Sequence, residues 1–300
     1  MTQDVDLIQS VETLFGFRID RNSIASVPRP YPNELITLKF STTSRETYLL
    51  KEFLSDSPET LHLIFSELEK IRHKKPHISL PLPSLTGLYA FTDGKGRHFQ
   101  LLKFLNLSPF NQNSLSLNAL FSEVHRLHDN LSNCCIPPNH YTDLHKYVDF
   151  GVRRIQANYG TDLPFLPQLQ SFIDDFPLDP IRQGVRHGDI QETNVYLKRS
   201  EVIFIDFDQV HFGYPLMDYV QTAGMYLRLE QLSHPQNQAI VEQLWVYLKE
   251  EELAHISQKE VKYLLARVIL GPIQGGDIRP SPAELVRFLQ ELEQFCERFN

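Results

Sequence analysis

The sequence predicts an α+β fold in two lobes, a small antiparallel-sheet lobe followed by a larger, mainly helical one. Three observations carry that prediction. Before residue 104 the apolar residues fall into short strand-length runs separated by turn formers. Beyond that point they recur at helical spacing. A single β-rich stretch near residues 185–206 interrupts the helical half, with acids, an amide and a histidine at the ends of its runs.

Taken in order, Leu35–Phe40 and Thr47–Phe53 flank the turn-like Ser41-Thr42-Thr43-Ser44 and predict an antiparallel hairpin. Ser55-Asp56-Ser57-Pro58-Glu59 then offers a cap, an early proline and an acidic first turn. Leu61, Ile64, Phe65, Leu68 and Ile71 follow at helical spacing, so a helix of roughly 14 residues starts near Pro58. A proline-rich stretch from Lys74 to Gly87 closes it. Leu88–Phe91 and Phe99–Phe104 then flank Thr92-Asp93-Gly94-Lys95-Gly96, a second hairpin. Asn106–Ser116 reads as a linker, and helices are expected at 117–132, 141–158, 216–231, 236–251, 258–270 and 282–298. The lobes are therefore expected to be residues 1–104, with a hinge at their end, and 105–300.

The bulk properties exclude several classes. At 300 residues with 42% hydrophobic content the chain can bury a substantial core. It has no apolar run of membrane-spanning length, and Met1-Thr2-Gln3-Asp4-Val5-Asp6 is unlike an export signal, so a cytoplasmic protein without a membrane partner is expected. Three cysteines, two of them adjacent (Cys134, Cys135), form neither a disulfide framework nor a zinc spacing. A formal charge of −8 argues against nucleic acid as a partner and leaves a cationic substrate open. Oligomeric state is not readable.

The chemistry lies in His187-Gly188-Asp189, then Asn194 five positions after the aspartate, then Asp206 within Ile205-Asp206-Phe207-Asp208. Phosphoryl transfer asks little covalent help of a protein. It needs a carboxylate to orient and deprotonate a hydroxyl, and hard oxygen ligands for magnesium. Asp189 suits the first role, Asn194 and Asp206 the second. The spacing is that of the protein-kinase catalytic loop, with Gly188 where arginine stands in that motif.

With Gly213-Tyr214-Pro215-Leu216-Met217-Asp218 following, the pattern resembles the aminoglycoside phosphotransferase and choline kinase family, small-molecule kinases of protein-kinase-like fold. The resemblance implies ATP or GTP as donor, Mg2+ as cofactor and a small-molecule hydroxyl as acceptor. It implies that Lys51 reaches the α- and β-phosphates, held by a helix glutamate. Glu67 is chosen because it lies four residues from both Leu63 and Ile71, and Glu59 is the outside candidate. The backbone of Lys103, Phe104 and Leu105 is expected to hydrogen-bond the adenine, His187 to hold the catalytic loop, and Asp218 to anchor the structure beneath it.

One segment departs from the family. Val27-Pro28-Arg29-Pro30-Tyr31-Pro32 stands where the nucleotide loop is expected and contains no glycine. Prolines remove N–H donors and stiffen a loop, so grip on the nucleotide falls to Lys51, magnesium and Arg29, and ATP or GTP both stay open. A serine/threonine protein kinase and a regulatory pseudokinase are the alternatives. His125 and His128 read as packing residues; Glu250-Glu251-Glu252 reads as a solvated helix end or a site for a cationic substrate, and Asp174 and Asp175 carry the same ambiguity. His211 reads as an exposed loop residue or one that touches substrate, and Met225, Tyr226, Trp245 and Tyr247 as core or as lining for the acceptor pocket.

Overall fold

A computed structural model describes residues 5–27, 35–53, 58–136, 153, 156–160, 183–228, 234–250 and 281–297. The expected nucleotide loop beyond Val27, most of the helix expected at 141–158, the one at 258–270, and Asp174 and Asp175 lie outside the described residues.

The chain forms two compact units. The first comprises Met1–Ser108, Cys134–Ile136 and Tyr196–Asp208; the second comprises Pro109–Asn133, Pro137–Val195 and Gln209–Asn300. The single boundary near residue 104 is therefore replaced by a chain that leaves the first unit and re-enters it. The physical reason is a strand pairing: β10 (Glu201–Phe204) lies parallel to β4 (His77–Ile78), with Ile203 opposite His77 and Phe204 opposite Ile78. Ser79 N–H adds a bond to Phe204 O at 2.9 Å.

In the first unit, β1 (Ala25–Ser26), β2 (Thr37–Ser41), β3 (Thr47–Phe53), β5 (Phe91–Thr92) and β6 (His98–Lys103) form one sheet in the order β1-β2-β3-β6-β5. Both expected hairpin pairings are present and antiparallel, though β5 is shorter than the apolar run suggests. Along β3 the core face alternates in the way a half-buried strand requires: Tyr48, Leu50 and Glu52 are buried while Leu49 and Lys51 are partly exposed. Against this sheet packs a helix the sequence reading had not anticipated, α1 (Val5–Phe15), through Leu7, Ile8 and Val11. Those residues meet Phe40, Tyr48, Leu50, Phe99 and Leu101 in one cluster, and Phe17 stacks on Tyr48 at 5.1 Å. Helix α2 (Pro58–Leu68) runs on through a 3-10 turn to Ile71 and buries Leu61, Ile64, Phe65 and Leu68.

β7 (Ser108–Pro109) marks the passage to the second unit. There α3 (Leu117–Leu131) starts where Ser116 Oγ accepts from Ala119 N–H, satisfying one of the donors a helix start leaves open. It buries Leu120, Phe121, Val124, Leu127 and Leu131 at helical spacing. α4 (Leu216–Gly224) and α5 (Pro235–Glu250) complete this core, where Phe121, Tyr219 and Tyr247 pack with ring centres 4.9–6.0 Å apart. Short strands β8 (Gly184–Arg186) and β11 (His211–Gly213) pair antiparallel, and between them in the chain lies β9 (Val195–Lys198). α6 (Pro282–Glu297) is the last described element. No helix of the described residues is long and apolar enough to cross a membrane. Sheet and helices together make a mixed α+β fold.

Candidate active site

In the second unit the chain turns sharply after β8, and one buried carboxylate fixes the turn. Asp218, in the first turn of α4 and fully buried, accepts His187 N–H at 2.7 Å and Gly188 N–H at 3.1 Å. The same carboxylate accepts Arg186 Nε at 3.0 Å and lies 2.9 Å from His128 Nε2. Burial works against its charge, but the Arg186 guanidinium and the bond from His128 hold the carboxyl well below the usual carboxylate range. A buried carboxylate is tolerable on those terms, with a cation and several donors around it. Gln221 adds a further brace, accepting from Arg186 and from Ile190 N–H while donating to Gly188 O.

The turn requires glycine at position 188. Its φ is +89°, and a Cβ placed there would lie 2.2 Å from the Gln209 carbonyl oxygen. His187 is wholly buried, and its Nδ1 receives Asp189 N–H at 3.3 Å. Asp189 then presents a carboxylate whose Oδ2 accepts Asn194 Nδ2 at 2.7 Å and Gln191 Nε2 at 2.9 Å. Asn194 also holds the Asp189 carbonyl at 3.0 Å, so backbone and side chain are fixed by one amide. The Oδ1 of Asn194, within 3.4 Å of the Thr193 hydroxyl, is a neutral hard oxygen of the kind magnesium takes.

In the first unit a second cluster forms around Lys51 of β3. Its Nζ donates to Asp206 Oδ1 at 2.5 Å and to Asp208 Oδ2 at 2.9 Å. Burial opposes the ammonium charge, but Asp208 and Asp206 together hold Lys51 above its ordinary range. Asp206 follows β10 with a φ of +63°, a left-handed conformation that costs energy in any residue with a side chain and that gathers at functional sites. Asp208 accepts two further contacts from Gln100 Nε2, at 2.8 and 3.0 Å. Its charge, opposed by burial, is favoured by Lys51 and by Gln100.

Glu67 requires a correction, because it does not reach Lys51. Its carboxylate pairs with Lys70 at 2.7 Å and accepts Cys135 N–H at 2.8 Å. The buried stripe of α2 runs through Leu61, Ile64, Phe65 and Leu68, while Leu63, used to mark the inward face, is 61% exposed. Glu59 is exposed as well.

The expected adenine-binding backbone also divides. Phe104 N–H is used within the sheet, donating to Thr47 O at 2.9 Å. Antiparallel pairing alternates, so Lys103, opposite Tyr48, turns its N–H and C=O away from β3. Leu101, two residues earlier, does the same, its carbonyl accepting Leu82 N–H at 2.7 Å.

Other singled-out residues fall into place. His128 belongs to the Asp218 cluster, and His125 Nδ1 lies 3.3 Å from the Tyr219 hydroxyl. His211, expected in an exposed loop, is instead buried in β11 opposite Arg186, with Nδ1 2.7 Å from Gln209 O. Tyr226 is buried and donates to Leu115 O. Sequence reasoning missed Asp208 and Gln100. The signal for Asp208 was its place two residues beyond Asp206; nothing in the sequence marked Gln100.

A profile of the phosphotransferase enzyme family matches residues 35–253, which is most of the chain, and the chain belongs to that family. It is a phosphotransferase by class. No curated protein matches. Among solved structures, a microcompartment-associated aminopropanol kinase is similar at a TM-score of 0.69 and 14% identity, with 99% of this chain and 97% of that one covered. An amicoumacin kinase in complex with AMP-PNP, Ca2+ and Ami gives 0.63 and 11%, covering 99% and 94%. A spectinomycin phosphotransferase in complex with ADP and spectinomycin gives 0.60 and 13%, covering 98% and 97%. At these identities the likeness establishes the shared fold.

Proposed function

We propose that the protein transfers the γ-phosphoryl group of ATP or GTP to a hydroxyl of a small molecule. The observation that carries the reading is the Asp189 carboxylate, fixed by Asn194 and Gln191 on a turn that Asp218 ties down through two backbone N–H groups. A carboxylate held in this way is suited to align an acceptor hydroxyl and take its proton as the bond to phosphorus forms. Precise placement matters here because positioning supplies much of the catalysis in phosphoryl transfer.

Lys51 carries the charge for the donor's phosphates, and the backbone of Lys103 and Leu105 offers hydrogen bonds to its base. Asn194 and Asp206 supply the hard oxygens for Mg2+, which when bound neutralises charge on the triphosphate. Small-molecule acceptors are preferred over proteins because the solved structures of this fold reported above are kinases of an amino alcohol and of antibiotics. The formal charge of −8 leaves a cationic acceptor open among them.

The test is magnesium-dependent nucleoside diphosphate release from ATP and, separately, from GTP, against aminoglycosides, amino alcohols, homoserine, sugars and a generic protein substrate. Release stimulated by one small-molecule class supports the proposal and names the acceptor. Stimulation by the protein substrate alone replaces it with a protein kinase, and nucleotide binding without turnover on any acceptor favours a regulatory role.

A further inference from the structure

We infer that Asp208, oriented by Gln100, is the positioning residue that holds Lys51 toward the nucleotide phosphates, in the place a helix glutamate was expected to fill. The inference rests on the functional reading above and concerns how this chain prepares its lysine.

The first support is the exclusion of the alternative. Glu67 spends its carboxylate on Lys70 and on Cys135 N–H, and the phase of α2 turns it away from the buried face. Lys51 has its ion pairs with Asp206 and Asp208 instead.

The second support is the sheet register. Lys51 and Gln100 are direct partners across β3 and β6, so their side chains rise from the same face of the sheet. Both converge on Asp208, Gln100 on both oxygens and Lys51 on Oδ2. Gln100 is 1% exposed, and its Oε1 has no hydrogen-bond partner among the described residues. A buried carbonyl left in that state costs free energy, so the amide is oriented by what its NH2 end does. That end serves the Asp208 carboxylate.

The third support is the division of labour between the two aspartates. Asp206 also holds Lys51, but it is the carboxylate assigned to the metal, and a ligand taken there competes for the same oxygens. Asp208 keeps a second, separately braced anchor for the ammonium. Lys51 then stays placed when Asp206 is engaged elsewhere, and it is released from Asp206 without losing a counter-ion in a partly buried site.

Binding of Mg·ATP and Mg·GTP, read by calorimetry without any acceptor, tests this on the full chain. Asp208→Asn is expected to weaken binding of the preferred nucleotide about tenfold, since one charge-assisted bond to Lys51 is lost. Gln100→Leu weakens it in the same direction by less, and Asp208→Glu recovers part of the loss. Adenosine, which has no phosphates, binds wild type and Asp208→Asn alike. Glu67→Gln binds Mg·nucleotide within about twofold of wild type, a difference below about 0.5 kcal/mol. The inference is overturned if Asp208→Asn binds Mg·nucleotide as wild type does, if it loses adenosine equally, or if Glu67→Gln shows the tenfold loss. A wild-type chain that binds neither nucleotide overturns the functional reading and this inference with it.

Discussion

Replacing Asp218 by alanine removes one carboxylate that serves four partners, and the cost can be worked from their burial. Arg186 is 4% exposed and His187 0%, so neither finds water in compensation. Removing one partner of a buried ion pair costs about 3–5 kcal/mol. The orphaned N–H groups of His187 and Gly188 each add about 1–3 kcal/mol, though these terms overlap and do not sum in full. A loss of at least about 4 kcal/mol is expected, a large share of the roughly 5–15 kcal/mol that holds a typical domain. At about 2–4 °C per kcal/mol, the melting temperature of the unit carrying α3 and α4 should fall by about 10 °C or more. Thermal denaturation followed by circular dichroism at neutral pH measures this directly. Asp218→Asn, which keeps one acceptor oxygen, should fall between the two. A shift of less than about 3 °C for the alanine variant would show that the catalytic turn stands without this carboxylate, and would refute the argument.

The same residue makes a pH prediction with a definite sign. Its carboxyl is held below the ordinary range, so its contribution is present above about pH 4, the unfolded value, and is lost as pH falls toward the folded one. The stability gap between wild type and Asp218→Ala should thus be flat from about pH 6 to 8 as far as Asp218 is concerned and should narrow only in acid, which urea titrations at a series of pH values would check. Gly188→Ala places a Cβ 2.2 Å from Gln209 O in a left-handed conformation. It should lower stability by more than about 2 kcal/mol and abolish turnover, since the turn must open to admit it; a folded variant with wild-type kcat would count against the required turn.

The parts of the site that were legible in the sequence are those set by short spacing. His187, Asp189 and Asn194 fall within eight residues of one another, and Asp206 ends an apolar strand run, so local order alone brings out their pattern. The hairpins were legible for the same reason, with strand alternation on both sides of turn formers. What escaped depends on pairing between distant segments. Gln100 matters only because the register sets it opposite Lys51, and Asp208 because β10 returns to pair with β4. Glu67 was misassigned because Leu63 is apolar yet exposed, which shifts the apparent phase of α2. Helix α1 escaped because an acidic, polar beginning hid a three-residue buried stripe, Leu7, Ile8 and Val11. Asp218 was anticipated as an anchor, but its convergence with Arg186 and His128 needs the packing of α3 beside α4.

The most direct test of the central claim compares wild type with Asp189→Ala in acceptor-stimulated, magnesium-dependent phosphoryl transfer, while nucleotide binding is followed in parallel. The account predicts that the variant binds Mg·nucleotide with near wild-type affinity and shows no acceptor-stimulated turnover. Full turnover in Asp189→Ala would contradict it, because the base would then have to be another residue.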